Sequence, residues 1–383
     1  MGDVATIEVG LPFRSAEFSR DVADVRLLRG DNVSQGRLDW SGAVRWPLSA
    51  SVDPKYDMAV GDVVLAMDRP WVGAGLKRSR VRPADVPSYL VQRVARLRAN
   101  PGLDQGYLAY VIDSAGFSEY LLSVQTGTAI PHISGTQIGG YHFNLPPLAE
   151  QQAIAEVLGA LDDKIAANTA LASRADELMR QTFRSLTADS GVPLSETADF
   201  VNGKAFTKGA SGTGRVVVRI AELNGGIGGS TVYSDAEVDD KHVARPGDIL
   251  FAWSGSLTLH RWFRSEAIVN QHIFKVVPQR GYPAWLVYEL LRRKLADFKA
   301  IAADKATTMG HIQRHHLDEV VEVPSMSDID RLNPLMSALW DSALNAEQES
   351  LTLAATRDAL LPQLMSGKLR VRDAEDLIVQ AGV

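Results

Sequence analysis

Apolar positions recur at seven-residue spacing in two stretches of the chain and at shorter spacing elsewhere. In the first stretch Ile154, Leu158, Leu161, Ile165, Asn168, Ala172, Ala175, Met179, Thr182 and Leu186 step alternately by four and three along one seam. That pattern predicts a helix whose seam faces a partner helix. From 149 to 186 there is no Pro and only one Gly, Gly159. The second stretch offers Leu332, Met336, Leu339, Ala343, Ala346, Ser350, Leu353, Arg357, Leu360 and Leu364. Its small or polar middle suits close approach of another helix. The competing reading is two amphipathic helices, each folded onto its own globular domain. Similar lengths and equivalent places in the chain favour pairing. Asn168 on the seam would cost stability but fix register. A helix of about 38 residues spans about 57 Å. Two such helices packed antiparallel would make a rod with a globular domain at each end.

The remaining segments read as strand-rich with few helices. The runs 216–220, 248–253 and 273–277 are β-branched or aromatic, and the glycines of 225–229 signal a turn. A helix is expected over 282–300 and a short or edge strand over 87–95. These segments also repeat. Gly61-Asp62-Val63-Val64-Leu65 recurs as Gly247-Asp248-Ile249-Leu250-Phe251. Gln92-Arg93-Val94 is matched by Gln271-His272-Ile273, and His132-Ile133 by His311-Ile312. Phe143-Asn144-Leu145-Pro146-Pro147 is set against Val320-Val321-Glu322-Val323-Pro324, and, more loosely, the run from Val25 against the run from Val218. The expected organisation is therefore globular, helix, globular, helix.

Composition narrows the function. The 383 residues contain no Cys, which removes disulfides, thiolate metal sites and Cys nucleophiles. No window approaches a membrane span, and 1–10 does not have the form of a secretory signal, so a cytoplasmic protein is expected. Net charge is −6, yet 69–98 holds eight Lys and Arg against Asp85 alone. The second globular segment carries Lys204, Lys208, Arg261, Arg264 and Arg314 among others, with aromatics interleaved as in His260-Arg261-Trp262-Phe263-Arg264. Such groups neutralise phosphates and read guanine, so duplex DNA held at two places is expected. A solvated charged surface is the plainer alternative for any single Arg.

Enzyme signatures are missing. Gly203-Lys204 and Gly367-Lys368 are followed by Ala205 and Leu369, so neither is a P-loop. Gly226-Ile227-Gly228 lacks the third glycine of a dinucleotide loop. His311 and His315 have i, i+4 spacing, but Arg314 between them would repel a cation.

The segment Leu145-Pro146-Pro147-Leu148-Ala149-Glu150-Gln151-Gln152-Ala153-Ile154-Ala155, with Leu158-Gly159-Ala160-Leu161-Asp162-Asp163-Lys164-Ile165 and Asn168, closely resembles the central conserved region of type I restriction-modification specificity subunits. Leu360-Leu361-Pro362-Gln363-Leu364-Met365-Ser366-Gly367-Lys368-Leu369-Arg370-Val371 resembles that family's C-terminal signature. The second helix starts Pro324-Ser325-Met326, without the Pro-Pro-Leu-x-Glu-Gln form of the first. The resemblance implies an α+β chain with two similar target recognition domains, at 1–144 and 188–325. Two long antiparallel coiled-coil helices, at 145–187 and 326–371, separate them, and a tail occupies 372–383. It implies a non-catalytic subunit that binds a bipartite, asymmetric double-stranded DNA target. Two modification subunits would use S-adenosylmethionine to methylate adenine, and restriction subunits would use ATP and magnesium. No cofactor or metal is expected in this chain itself.

The DNA-contacting candidates are Lys77, Arg78, Arg80, Arg82, Thr128 and His132 in the first domain. In the second they are Lys204, Lys208, Arg261, Arg264, Thr308, His311 and Arg314. Thr128 and Thr308 are chosen for their matching places on polar loops, with turn capping as the alternative. Glu150, Gln151 and Gln152 are candidates for contact with modification subunits, with helix capping the alternative for Glu150. The rival function is a scaffold or decoy that binds modification subunits without sequence-specific DNA recognition.

Overall fold

The Gly-Asp motif that marks the repeat in sequence also marks it in space. In a computed structural model, which describes residues 1–72, 75–127, 130–304 and 310–380, Gly61 and Gly247 both adopt a φ of 92°. The following carboxylates close matching turns: Asp62 accepts from Ala59 N at 2.8 Å and Asp248 from Arg245 N at 2.7 Å. Each turn leads into a buried strand, and each strand belongs to one of two compact units. Unit 1 comprises Met1–Asp162 with Ala355–Val383, and unit 2 comprises Asp163–Ala354.

In unit 1 the strands are β1 (Ala5–Val9), β2 (Val25–Leu28), β3 (Arg45–Trp46), β4 (Val63–Ala66), β5 (Trp71–Val72), β6 (Gly75–Leu76), β7 (Arg78–Arg80), β8 (Ser88–Leu90) and β9 (Val94–Ala99). The main sheet has the antiparallel order β1-β9-β4-β7, and a smaller sheet has the order β3-β2-β8 with β2 and β8 parallel. Helices α1 (Gln105–Asp113), α2 (Ala115–Val124) and α3 (Gly135–Gly139) follow, then α4 (Leu148–Arg184), which continues into unit 2.

Unit 2 repeats the plan. Its strands are β10 (Ala188–Pro193), β11 (Ala198–Asn202), β12 (Arg215–Val218), β13 (Val232–Ser234), β14 (Val243–Ala244), β15 (Ile249–Ala252), β16 (Thr258–Arg261), β17 (Ala267–Val269), β18 (Ile273–Pro278) and β19 (Val320–Pro324). The order β11-β18-β15-β16 copies the main sheet, and β13-β12-β17-β14 copies the smaller one, with β12 and β17 parallel. Helices α5 (Ile220–Gly225) and α6 (Ala284–Asp304) complete it, before α7 (Met326–Met365) and a short α8 (Val371–Gln380).

Three expectations need correction. The first globular segment is not poor in helix: α1 to α3 pack there, with Tyr107, Tyr110 and Phe117 fully buried. The run from Val25 does not match the run from Val218. Val91 N donates to Leu28 O and Asn270 N to Val218 O, so Leu28 is the counterpart of Val218. Finally, β19 pairs antiparallel with the distant β10, whereas 143–147 is not a strand.

The long helices meet as their seams predict, since every seam residue is buried or half-buried. Within unit 2, Ala172 and Ala175 of α4 cluster with Ala343 and Ala346 of α7. Asn168 Nδ2 donates to Glu349 Oε2 at 2.7 Å, and Lys164 pairs with the same carboxylate. Met179 and Met336 share the unit's main core, so the two helices run antiparallel. Within unit 1, Arg357 Nη1 donates to Asp162 Oδ1 at 2.6 Å, and Tyr110 Oη donates to Asp162 Oδ2 at 2.7 Å. Helix α7 starts without a Pro-Pro motif because Ser325 Oγ accepts from Asp328 N at 3.2 Å, an ordinary N-cap.

Candidate nucleic-acid interface

Three separate segments of unit 1 are brought to one end of the main sheet. Met67 N donates to Arg93 O at 2.8 Å, and Ile133 N donates to Met67 O at 2.9 Å. These bonds gather the loop after β4, the turn before β9 and the segment ahead of α3. Unit 2 makes the same bonds with Trp253, His272 and Ile312, at 3.0 and 3.1 Å. Isolated bridges join Asp68 to His132 and Ser254 to His311. The structural counterparts are therefore Met67 and Trp253, Asp68 and Ser254, Arg93 and His272, His132 and His311.

A fourth segment lies alongside. Gln92 N donates to Leu11 O and Gln271 N to Lys204 O, both at 2.9 Å. The preceding residues must be glycine because backbone approaches backbone. A Cβ on Gly10 would lie 2.3 Å from Val91 C, and one on Gly203 would lie 2.1 Å from Asn270 O.

The side chains on this shared frame differ. In unit 1, Asp68 Oδ1 lies 2.6 Å from His132 Nδ1, and its other oxygen takes the Arg93 guanidinium. Burial opposes the charge on Asp68, but the hydrogen bonds from His132 and Arg93 outweigh it and hold the carboxyl below its ordinary range. In unit 2 the Trp253 ring centroid lies 5.2 Å from that of His272 and 6.4 Å from that of His311. Its indole Nε1 donates to Asn202 Oδ1 at 2.9 Å. Lys204 stands exposed where unit 1 has Leu11. Among the described residues, the non-glycine residues with positive φ are Arg69 at 44°, Arg93 at 66° and His272 at 73°, all on these loops. Each such conformation costs about 1–3 kcal/mol.

The basic run 69–98 is divided by its partners. Arg78 pairs with Asp113 of α1, and the Arg80 guanidinium lies 4.9 Å over the Tyr110 ring. Arg96 donates to Lys55 O and Asp57 O, and Arg98 pairs with Asp62. Half-buried Lys77 and exposed Arg82 have no carboxylate partner among the described residues.

Arg261 corresponds to Arg80, because Ile249 faces it in β15 as Val63 faces Arg80 in β4. Its side chain is 3% exposed and pairs with Asp176 of α4 and Glu347 of α7. Burial disfavours its charge, but the two carboxylates more than compensate and raise its pKa. It therefore points at the helices rather than at solvent. Arg264 is half-buried, 5.0 Å over the Phe263 ring, and burial lowers its pKa. Lys208 and Arg314 are exposed. Thr128 and Thr308 lie outside the described residues.

Of the partner candidates, Glu150 and Gln152 are exposed at the start of α4. Gln151 is 1% exposed; its Oε1 accepts from Asp104 N, and its Nε2 donates to Gly102 O and Pro146 O. It locks the helix start to unit 1 instead of presenting itself. No group of three or more His, Asp or Glu able to hold a metal ion occurs among the described residues.

The repeat and the basic residues point to His132, His311 and Lys204 and count Arg93 within the basic run, but they single out neither Arg93 nor Asp68, Trp253 and His272 as a site. The repeated Gln-x-(Val/Ile) turn was the available signal. In sequence it marks duplication alone, because the loops that complete the site lie far apart along the chain.

Residues 52–174 match the family described as the type I restriction modification DNA specificity domain. The chain is 32% identical over 165 residues to the Type I restriction enzyme MjaVIII specificity subunit of Methanocaldococcus jannaschii, covering 43% of this chain and 38% of that protein. It is 31% identical over 159 residues to the EcoAI specificity subunit of Escherichia coli, covering 40% of this chain and 26% of that protein. Both matches thus span well under two thirds of those relatives' own length. Identity to the M. jannaschii MjaIX specificity subunit is 24% over 313 residues, or 71% of each chain. The fold matches the crystal structure of a type I restriction-modification system S subunit from M. genitalium. There the TM-score is 0.58 at 16% identity, covering 95% of this chain and 94% of that one.

Proposed function

From its similarity to the type I restriction-modification specificity subunits, we propose that this chain is one of them, binds a two-part, asymmetric duplex DNA target and directs partner subunits to it. The observation that carries this is the pair of like-folded units whose loops, on one hydrogen-bond frame, present different side chains. Identical frames suit one type of ligand, and unlike side chains suit two different base sequences. Exposed Lys204, Lys208 and Arg314 offer phosphate contacts, while the loop side chains read base edges in the major groove.

In this reading the chain performs no chemistry. Two modification subunits supply S-adenosylmethionine-dependent adenine methylation, and restriction subunits supply ATP- and magnesium-dependent cleavage. Glu150 and Gln152 on α4 belong to the surface offered to modification subunits. The location is the cytoplasm, where the DNA is; no helix among the described residues is long and apolar enough to cross a membrane.

The test is methylation-sensitive sequencing of the source genome with and without the gene. A two-part motif with modified adenines, lost on deletion, is the expected result. An unchanged methylation pattern, together with no duplex affinity of the complex with a modification subunit, would instead fit the scaffold or decoy.

A further inference from the structure

We propose that base selection is set at the left-handed turns of Arg93 and His272 and by the loop residue beside each, Asp68 in unit 1 and Trp253 in unit 2. This rests on the DNA-specificity reading and assigns residues to it.

Three observations converge. First, main-chain bonds hold the four loop segments alike in both units, so the backbone fixes a presentation geometry independent of the side chains. Second, the side chains change in kind at matching positions: Arg93 to His272, Asp68 to Ser254 and Leu11 to Lys204, while half-buried Trp253 takes the place of buried Met67. A position retained for packing would keep its chemistry through a duplication, as Val64 and Leu250 do in the core. Third, the turn residues adopt left-handed backbone at φ values of 66° and 73°, where glycine would be relaxed, yet both carry large exposed side chains. A strained residue kept in place of glycine at both copies of one turn implies that its side chain is used.

The chemistry differs between the units. Arg93 is 67% exposed and offers a planar fork that fits guanine O6 and N7. Asp68 sits behind it and also holds His132, so it is a positioning residue that aims both donors. In unit 2, Ser254 supplies no carboxylate. Trp253 is half-buried, packed on Phe274 of the core, and the part of its ring left exposed beside the imidazoles of His272 and His311 is an apolar surface suited to a thymine methyl group. Unit 1 is therefore expected to require a guanine, and unit 2 to tolerate its loss.

The test is selection from a randomised duplex library by the full chain bound to a type I modification subunit. For Arg93→Gly the expected result is an unchanged or higher melting temperature. Discrimination for one guanine in one half-site should fall roughly five- to hundredfold, with the other half-site unaffected. Arg93→Lys should keep overall affinity but lose the same guanine, since an ammonium lacks the fork. Asp68→Asn should weaken that preference without changing the salt dependence of binding. Unchanged base preference in Arg93→Gly and Arg93→Lys, or an equal loss of affinity for every sequence, would overturn this assignment while leaving the DNA reading intact. A wild-type complex that selects no sequence would overturn both.

Discussion

Arg261 holds Asp176 and Glu347 with its own side chain only 3% exposed. Replacing it by Met would leave two carboxylates facing each other without a cation, at a cost of roughly 3 kcal/mol. Urea denaturation should show this loss, whereas a solvent-facing DNA contact would leave stability unchanged. Glu289 of α6 is a second buried charge in the same unit. Burial pushes its carboxyl up from 4.5 to about 7, against the pull of Arg292 and Arg180. Between those two values the folded chain keeps a proton that the unfolded chain has lost. Its contribution is therefore full below about pH 4.5 and is lost as pH rises towards 7, a decline of about 3 kcal/mol. Glu289→Gln should flatten that stretch of the stability–pH curve. Neither residue could be recognised from sequence. The partners of Arg261 lie 85 and 86 positions away, and a count of charges carries no record of pairing across such distances.

The helices were the most legible elements, because a seam of small and apolar residues has one geometric meaning whatever surrounds it. Ala343 shows how tightly that meaning is enforced. It is fully buried among Ala172, Ala175 and Ala346, so Ala343→Leu should cost about 1–3 kcal/mol, measurable as a lower melting temperature. Leu171→Ala, at a 49% exposed position of α4, should change stability by less than about 0.5 kcal/mol. Helix α1 was illegible for the opposite reason. In Gln105–Asp113 every residue from Tyr107 to Ile112 is buried, so no polar face sets a helical period. The short or edge strand expected over 87–95 is the edge strand β8 followed by the start of β9, because the run is broken by the turn at Arg93, whose left-handed backbone no glycine announces. Gly203, by contrast, has a visible cause. Gly203→Ala would press a methyl group into the carbonyl of Asn270 and should lower the melting temperature while displacing Lys204.

For the molecule as a whole, net charge of −6 makes long-range attraction to DNA unfavourable, so affinity must come from local contacts. Lys204→Ala with Lys208→Ala should weaken binding to all sequences alike. It should also reduce the slope of log affinity against log salt by about 2, as two lost phosphate contacts would. Duplication was readable through Gly-Asp turns, yet the sites that distinguish the copies were not, because pairing Asp68 with His132 requires the loops to be assembled. The division into units has a further consequence. Unit 2 is one uninterrupted span, whereas unit 1 needs Ala355–Val383, which are translated after the whole of unit 2. A ribosome thus delivers everything unit 2 requires while Asp162 still awaits Arg357. A message truncated after codon 354 should yield one finished half and one that stays open to proteolysis.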